Sequence, residues 1–136
     1  MKKFLGLSLL LPALALAQDV PGRWAKVHNP AAAAQATIGQ AALTYARHIA
    51  TGATVCITAV AAQPAIVFNL RDGATGAGTV LWTATLSAAA GTSNCVCMGS
   101  TQLVGTVNTA MTLESATATA ATNLATVALS GYDVAR

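Results

Sequence analysis

Three cysteines, two histidines and four carboxylates are all that this 136-residue chain offers for covalent, metal or acid–base chemistry. The cysteines are Cys56, Cys95 and Cys97. Cys95 and Cys97 are two apart, so on a strand they share a face. Cys56 sits in a second β-like run, Thr54-Val55-Cys56-Ile57. In an oxidising compartment a disulfide from Cys56 to Cys95 or Cys97 would staple two strands and leave one thiol over. In a reducing one, all three are small buried hydrophobes. A soft-metal site on Cys95-Val96-Cys97-Met98 with His28 or His48 falls short of ligands. A closed zinc site takes four, usually with a wider spacing within each cysteine pair.

Nucleophilic catalysis needs a nucleophile, a base and an orienting acid. The bases are His28 and His48, and the acids Asp19, Asp72, Glu114 and Asp133. No G-x-S-x-G motif is present. Asp72, Glu114 and Asp133 are the carboxylates from which a glycoside-cleaving pair would be drawn. Each falls near a strand end or turn, where Asp most often caps backbone. Glu114, between Leu113 and Ser115, reads as a solvated outward position, and His48 as structural. The Gly73, Gly76 and Gly78 series lacks the G-x-G-x-x-G spacing, carries no lysine and precedes a strand-like run, so it reads as a hairpin loop. The expectation is a protein that is not an enzyme, with no catalytic residue, cofactor or metal.

Charge points the same way. Charged residues make up 8% of the chain, against roughly a quarter in an ordinary globular protein. Lys2 and Lys3 lie in an apolar N-terminal segment; without residues 1–17 five basic residues face four acidic ones. Nucleic-acid binding needs a basic face, and polybasic attachment to a membrane surface needs a lysine or arginine cluster. Neither is expected here. Low charge and high apolar content also exclude charge-driven disorder.

Residues 1–17 (MKKFLGLSLLLPALALA) have a basic start, an apolar run and Ala15-x-Ala17 before Gln18. That is a secretory signal pattern, too short to span a bilayer comfortably. The other reading is an uncleaved apolar arm. Residues 18–36 carry Pro21-Gly22 and Asn29-Pro30 and read as an extended arm. Trp24 in that arm needs burial against a neighbouring subunit or the domain flank and is the candidate docking anchor.

The elements that would position these groups are strands. Beyond about residue 45 no segment has the charged face of a soluble helix. Alternation appears instead: Ile66, Phe68 and Leu70 on one face of 65–71; Val80, Trp82, Ala84 and Leu86 on one face of 79–86; Met111 and Leu113 in 110–115; Val127 and Leu129 in 124–130. Further strands are expected at 35–38, 46–50, 54–60, 94–98 and 103–107. A helix over 31–45 is weakened by Gly39. Residues 37–136 thus read as one all-β domain, a small antiparallel β-sandwich or jelly roll of about eight strands. Its Ala/Thr-rich exterior is neutral and poorly suited to staying monomeric. Of the aromatics, only Trp24, Tyr45 and Tyr132 are placed to be exposed, a thin basis for a sugar platform.

Three stretches carry a resemblance: Asn69-Leu70-Arg71-Asp72-Gly73-Ala74-Thr75-Gly76-Ala77-Gly78-Thr79-Val80-Leu81-Trp82, then Asn108-Thr109-Ala110-Met111-Thr112-Leu113-Glu114, then Leu129-Ser130-Gly131-Tyr132-Asp133-Val134. In that order they resemble small β-sandwich accessory proteins of tailed bacteriophage virions, over about residues 35–134. The resemblance implies a non-enzymatic head-decoration or fibre/tail protein, often trimeric. Its partners would be other virion proteins and copies of itself, and its location the virion. The alternative expectation is an exported binding or adhesin-like module, periplasmic or secreted, held by a Cys56 disulfide.

Overall fold

A computed structural model describes residues 22–135 of the chain. The signal-like segment 1–17, the first residues of the expected arm and Arg136 lie outside the described residues.

The described residues form the expected all-β sandwich, from nine strands: β1 (Arg23–His28), β2 (Thr37–Gln40), β3 (Ala46–Ala59), β4 (Gln63–Asp72), β5 (Thr79–Ala88), β6 (Thr92–Cys97), β7 (Leu103–Val104), β8 (Met111–Ser115) and β9 (Leu124–Ala135). All pairings are antiparallel. One sheet, here sheet A, runs β1-β9-β3-β6, with β7 also on β3; sheet B runs β2-β8-β4-β5.

The core follows the alternation. Sheet A supplies mostly small groups: Ala50, Ala53, Val55 and Ile57 from β3, and Ala125, Val127 and Leu129 from β9. Sheet B supplies larger ones, including Phe68 and Leu70 from β4, Leu86 from β5, and Met111 and Leu113 from β8. Small side chains facing large ones let the sheets approach and interdigitate. Trp82 and Leu81 pack at the margin of this core.

The structure departs from the sequence expectations in four places. First, the arm is not free: Arg23–His28 pairs with β9 along its whole length and forms an edge of sheet A. Second, 46–50 and 54–60 are one 14-residue strand. A register shift between Ala50 and Gly52 lets it bend without breaking. Gly52 fits there because a Cβ would come within 2.8 Å of Ser130 Oγ. Third, β9 does not stop at Ser130 but continues to Ala135. Gly131 makes that possible, since a Cβ there would collide with the Ile49 carbonyl and the Trp24 ring. Fourth, the strand expected over 103–107 is only Leu103–Val104. No helix forms over 31–45. Gly73, Gly76 and Gly78 all take positive φ in the loop between β4 and β5, as a hairpin loop of this kind requires. Among the described residues no helix is long and apolar enough to cross a membrane.

Candidate functional site

Among the described residues the carboxylates, His48 and the cysteines lie at three places, and at each of them side-chain bonds brace the fold. The first is an inter-sheet cluster at one end of the sandwich. His48 on β3 and Asp133 on β9 are direct register partners. His48 Nδ1 donates to Asp133 Oδ1 at 2.6 Å, and Trp24 Nε1 donates to the same oxygen at 2.8 Å. Gln40 from sheet B lies 3.4 Å from Asp133 Oδ2. The Trp24 and His48 rings meet edge to face, with centroids 6.2 Å apart. His48 is 1% exposed, and its Nε2 has no hydrogen-bond partner. A general base needs its free nitrogen directed at a reacting group. Here that nitrogen is enclosed, with no nucleophile beside it.

Trp24 is therefore seated on the flank of its own domain, one of the two settings the sequence offered for it. Two neighbours on β1 also reach inward. Lys26 Nζ donates to the Gly39 carbonyl at 2.8 Å, and His28 Nδ1 accepts from Thr37 N at 3.3 Å.

The second place is the outer face of sheet B. Glu114 is 2% exposed, which corrects the expectation of a solvated position. Its side chain does point away from the core, but the loop between β4 and β5 folds back over it. Arg71 Nε donates to Oε1 at 2.5 Å, and Gly76 N donates to Oε2 at 2.8 Å. Every residue of β8 is buried, Met111 and Leu113 in the core and Glu114 under this loop. Asp72, the register partner of core residue Met111, lies on the inner side of sheet B instead; it has the capping role expected of it, but for a distant loop. Its carboxylate accepts from the Thr106 amide at 2.9 Å and from the Thr106 hydroxyl at 2.5 Å.

The third place is the outer face of sheet A at β6. Cys56 and Cys95 face each other across the β3–β6 ladder and form a disulfide. Cys97 is a free, exposed thiol, 3.5 Å from Thr54 Oγ1. Among the described residues, no three His, Cys, Asp or Glu side chains converge as a metal site would require.

On the same outer face a trough of about 520 Å³ runs over β9, continued by a smaller hollow of about 140 Å³. Its floor is small: Ala25, Gly52, Ala128, Ser130 and Gly131. Arg23, Gln102 and Tyr132 stand at one end, where the Tyr132 hydroxyl donates to Gln102 Oε1 at 3.2 Å. Tyr45, at 73% exposure, lies apart from it.

Sequence reasoning missed one residue of equal structural weight. Asn123 is fully buried before β9. Its Oδ1 accepts from Val60 N at 2.9 Å and Ala61 N at 3.1 Å. Its Nδ2 donates to the Ala61 carbonyl and to Gln63 Oε1, both at 3.0 Å. An asparagine in a Thr/Ala-rich loop gives no local signal of such a role. Comparison with protein-family models, curated proteins and solved structures finds no match to this chain.

Proposed function

We propose that the protein is a non-enzymatic structural protein of an assembled particle, of the decoration or fibre/tail type found on phage virions. One observation carries the reading. The three described carboxylates, Asp72, Glu114 and Asp133, are all engaged in bonds that brace the fold. None faces an open cleft with a nucleophile and a base, as group-transfer or hydrolytic chemistry requires. The exterior available for packing carries few charges: of the groups around the trough only Arg23 and Lys26 are charged. On this reading the trough of small side chains over β9 lies against a capsid or tail protein, which a low-charge surface can cover with little desolvation cost.

The test is proteomic quantification of particles purified from the source culture. Stoichiometric amounts of the chain in the particle band support the reading, and absence from it overturns the reading. An Ala128→Arg variant places a charge on the trough floor and should fold normally yet be lost from particles.

The Cys56–Cys95 disulfide favours a second reading, because such bonds persist in oxidising compartments. In that case the chain is an exported binding module. N-terminal sequencing of the mature protein that begins at Gln18 supports it; sequencing that begins at Met1 counts against it.

A further inference from the structure

The two sides of the sandwich differ. On one side the sheet edges are β1 and β2. β1 carries Arg23 and Lys26, and β2 is only four residues long with its Gly39 carbonyl taken by Lys26. Charge, shortness and side-chain cover are the usual protections against edge-to-edge pairing. On the other side the edges are β5 and β6, and neither contains a charged residue. The Asn94 amide donates to the Ser87 carbonyl at 2.9 Å and ties the end of β5 to β6. All six residues of β6 are exposed.

Hydrogen-bond parity defines what β6 presents. In an antiparallel ladder, close pairs without mutual backbone bonds alternate with wider bonded pairs. Cys56 and Cys95 are a close pair, with Cα atoms 4.1 Å apart. Met98 N donates to Ala53 O at 2.7 Å, which fixes the same alternation one step beyond the strand. Asn94 and Val96 therefore direct their backbone groups at β3. Ser93, Cys95 and Cys97 direct theirs away from it, and no other described strand takes them up. The result is an uncharged row of donors and acceptors, held to β3 by the ladder and the disulfide.

We infer that β6 is a homodimerisation edge, pairing antiparallel with β6 of a second copy about a two-fold axis at Cys95. In that register Cys95 meets the partner's Cys95, and Ser93 meets the partner's Cys97. Each such pair exchanges two bonds, so about six backbone hydrogen bonds form. Asn94 faces the partner's Val96 on the inner side, and no like charges meet. A second copy satisfies the row because the row is its own complement under a two-fold, and the pairing closes at two chains, using up the β6 edge of each. The inference does not depend on the particle reading, since an exported module would present the same edge.

The test is the mass of the full-length oxidised protein by light scattering across a concentration series, with variants that leave the β3–β6 backbone bonds intact. Wild type should have twice the single-chain mass. Ser93→Pro removes an outward N–H and the exposed Ser93 Oγ–Thr58 Oγ1 contact, keeps the β3–β6 backbone bonds, and should give a folded monomer with an unchanged circular dichroism spectrum. The register is tested by charge. The S93K/C97K double variant sets Lys against Lys at both Ser93–Cys97 contacts and should be monomeric. The S93K/C97E double variant sets Lys against Glu there and should remain dimeric. A monomeric wild type at every concentration would overturn the inference. So would a dimer unaffected by Ser93→Pro, which would place the interface on β5 or the trough, or a dimer that survives S93K/C97K. None of these results bears on whether the chain is present in particles, which the proteomic test decides separately.

Discussion

Asp133 and His48 face each other across the β3–β9 ladder, and a single oxygen of Asp133 accepts from both His48 Nδ1 and Trp24 Nε1. One carboxylate thus joins β1, β3 and β9, and through Gln40 it also reaches sheet B. The cluster braces one end of the sandwich. Trp24 lies across Gly131, where a side chain would displace it. The edge strand β1 is therefore held by an indole as well as by its ladder.

Loss of this brace should be asymmetric. Asp133→Ala leaves the buried His48 with both ring nitrogens unpaired and frees the Trp24 indole. A cost of about 2–4 kcal/mol is expected. His48→Leu roughly conserves the side-chain volume, removes the unpartnered Nε2 and leaves Asp133 with Trp24 and Gln40. It should cost less than about 1.5 kcal/mol. Urea unfolding followed by tryptophan fluorescence measures both. Equal costs would mean that the carboxylate is not the centre of the cluster.

A similar asymmetry is expected at Glu114. Arg71→Ala strands a carboxylate that is only 3% exposed, for an expected cost of about 2–3 kcal/mol after allowance for the partly exposed arginine. Glu114→Gln keeps an acceptor for Gly76 N and discards the charge, for about 1 kcal/mol. Limited proteolysis should cut the 73–78 loop faster in Arg71→Ala than in Glu114→Gln. The reverse order would show that the loop is held by something other than this carboxylate.

These clusters show where the sequence could be read and where it could not. The core strands were legible because Phe68, Leu70, Leu86, Met111, Leu113, Val127 and Leu129 alternate with polar or small residues, and a two-sheet core buries one face of each strand. β1 was not legible as a strand, because its inward residues Trp24, Lys26 and His28 are largely polar and sit between two proline breakers. Alternation placed Glu114 correctly on the outer face. It carried no sign of the loop that covers that face, because the cover comes from residues some forty positions away. The choice between Cys95 and Cys97 as partner of Cys56 rests on the β3–β6 register. That register depends on how the chain crosses between sheets at Ala89–Gly91, a turn with no distinctive sequence. Asn123 was invisible for the same reason: its partners lie in the β3–β4 turn and at the start of β4.

Asn123 offers a test that separates its two ends. Asn123→Ala removes every side-chain bond to the β3–β4 turn and should cost about 2–4 kcal/mol. Asn123→Asp keeps the oxygen that accepts from Val60 N and Ala61 N but faces Gln63 Oε1 with a carboxylate. Its cost should be similar. Hydrogen exchange tells them apart: the Val60 and Ala61 amides should stay protected in Asn123→Asp and exchange quickly in Asn123→Ala. Fast exchange in both variants would mean that the turn is ordered by the Nδ2 bonds instead.

The disulfide joins residues 39 positions apart. Closing a loop of that size restricts the unfolded chain and is worth at most about 4 kcal/mol on loop entropy. The C56S/C95S double variant should therefore lose about 2–4 kcal/mol in urea unfolding, and reduction of the wild type should lose a similar amount. Neither change should abolish the fold, because β3 and β6 keep their ladder and the core residues are untouched. Cys97→Ser should unfold like oxidised wild type and should still lose stability on reduction. If instead Cys97→Ser alone removes the effect of reductant, the bond in solution runs through Cys97, and the β3–β6 register described here is not the one the protein adopts.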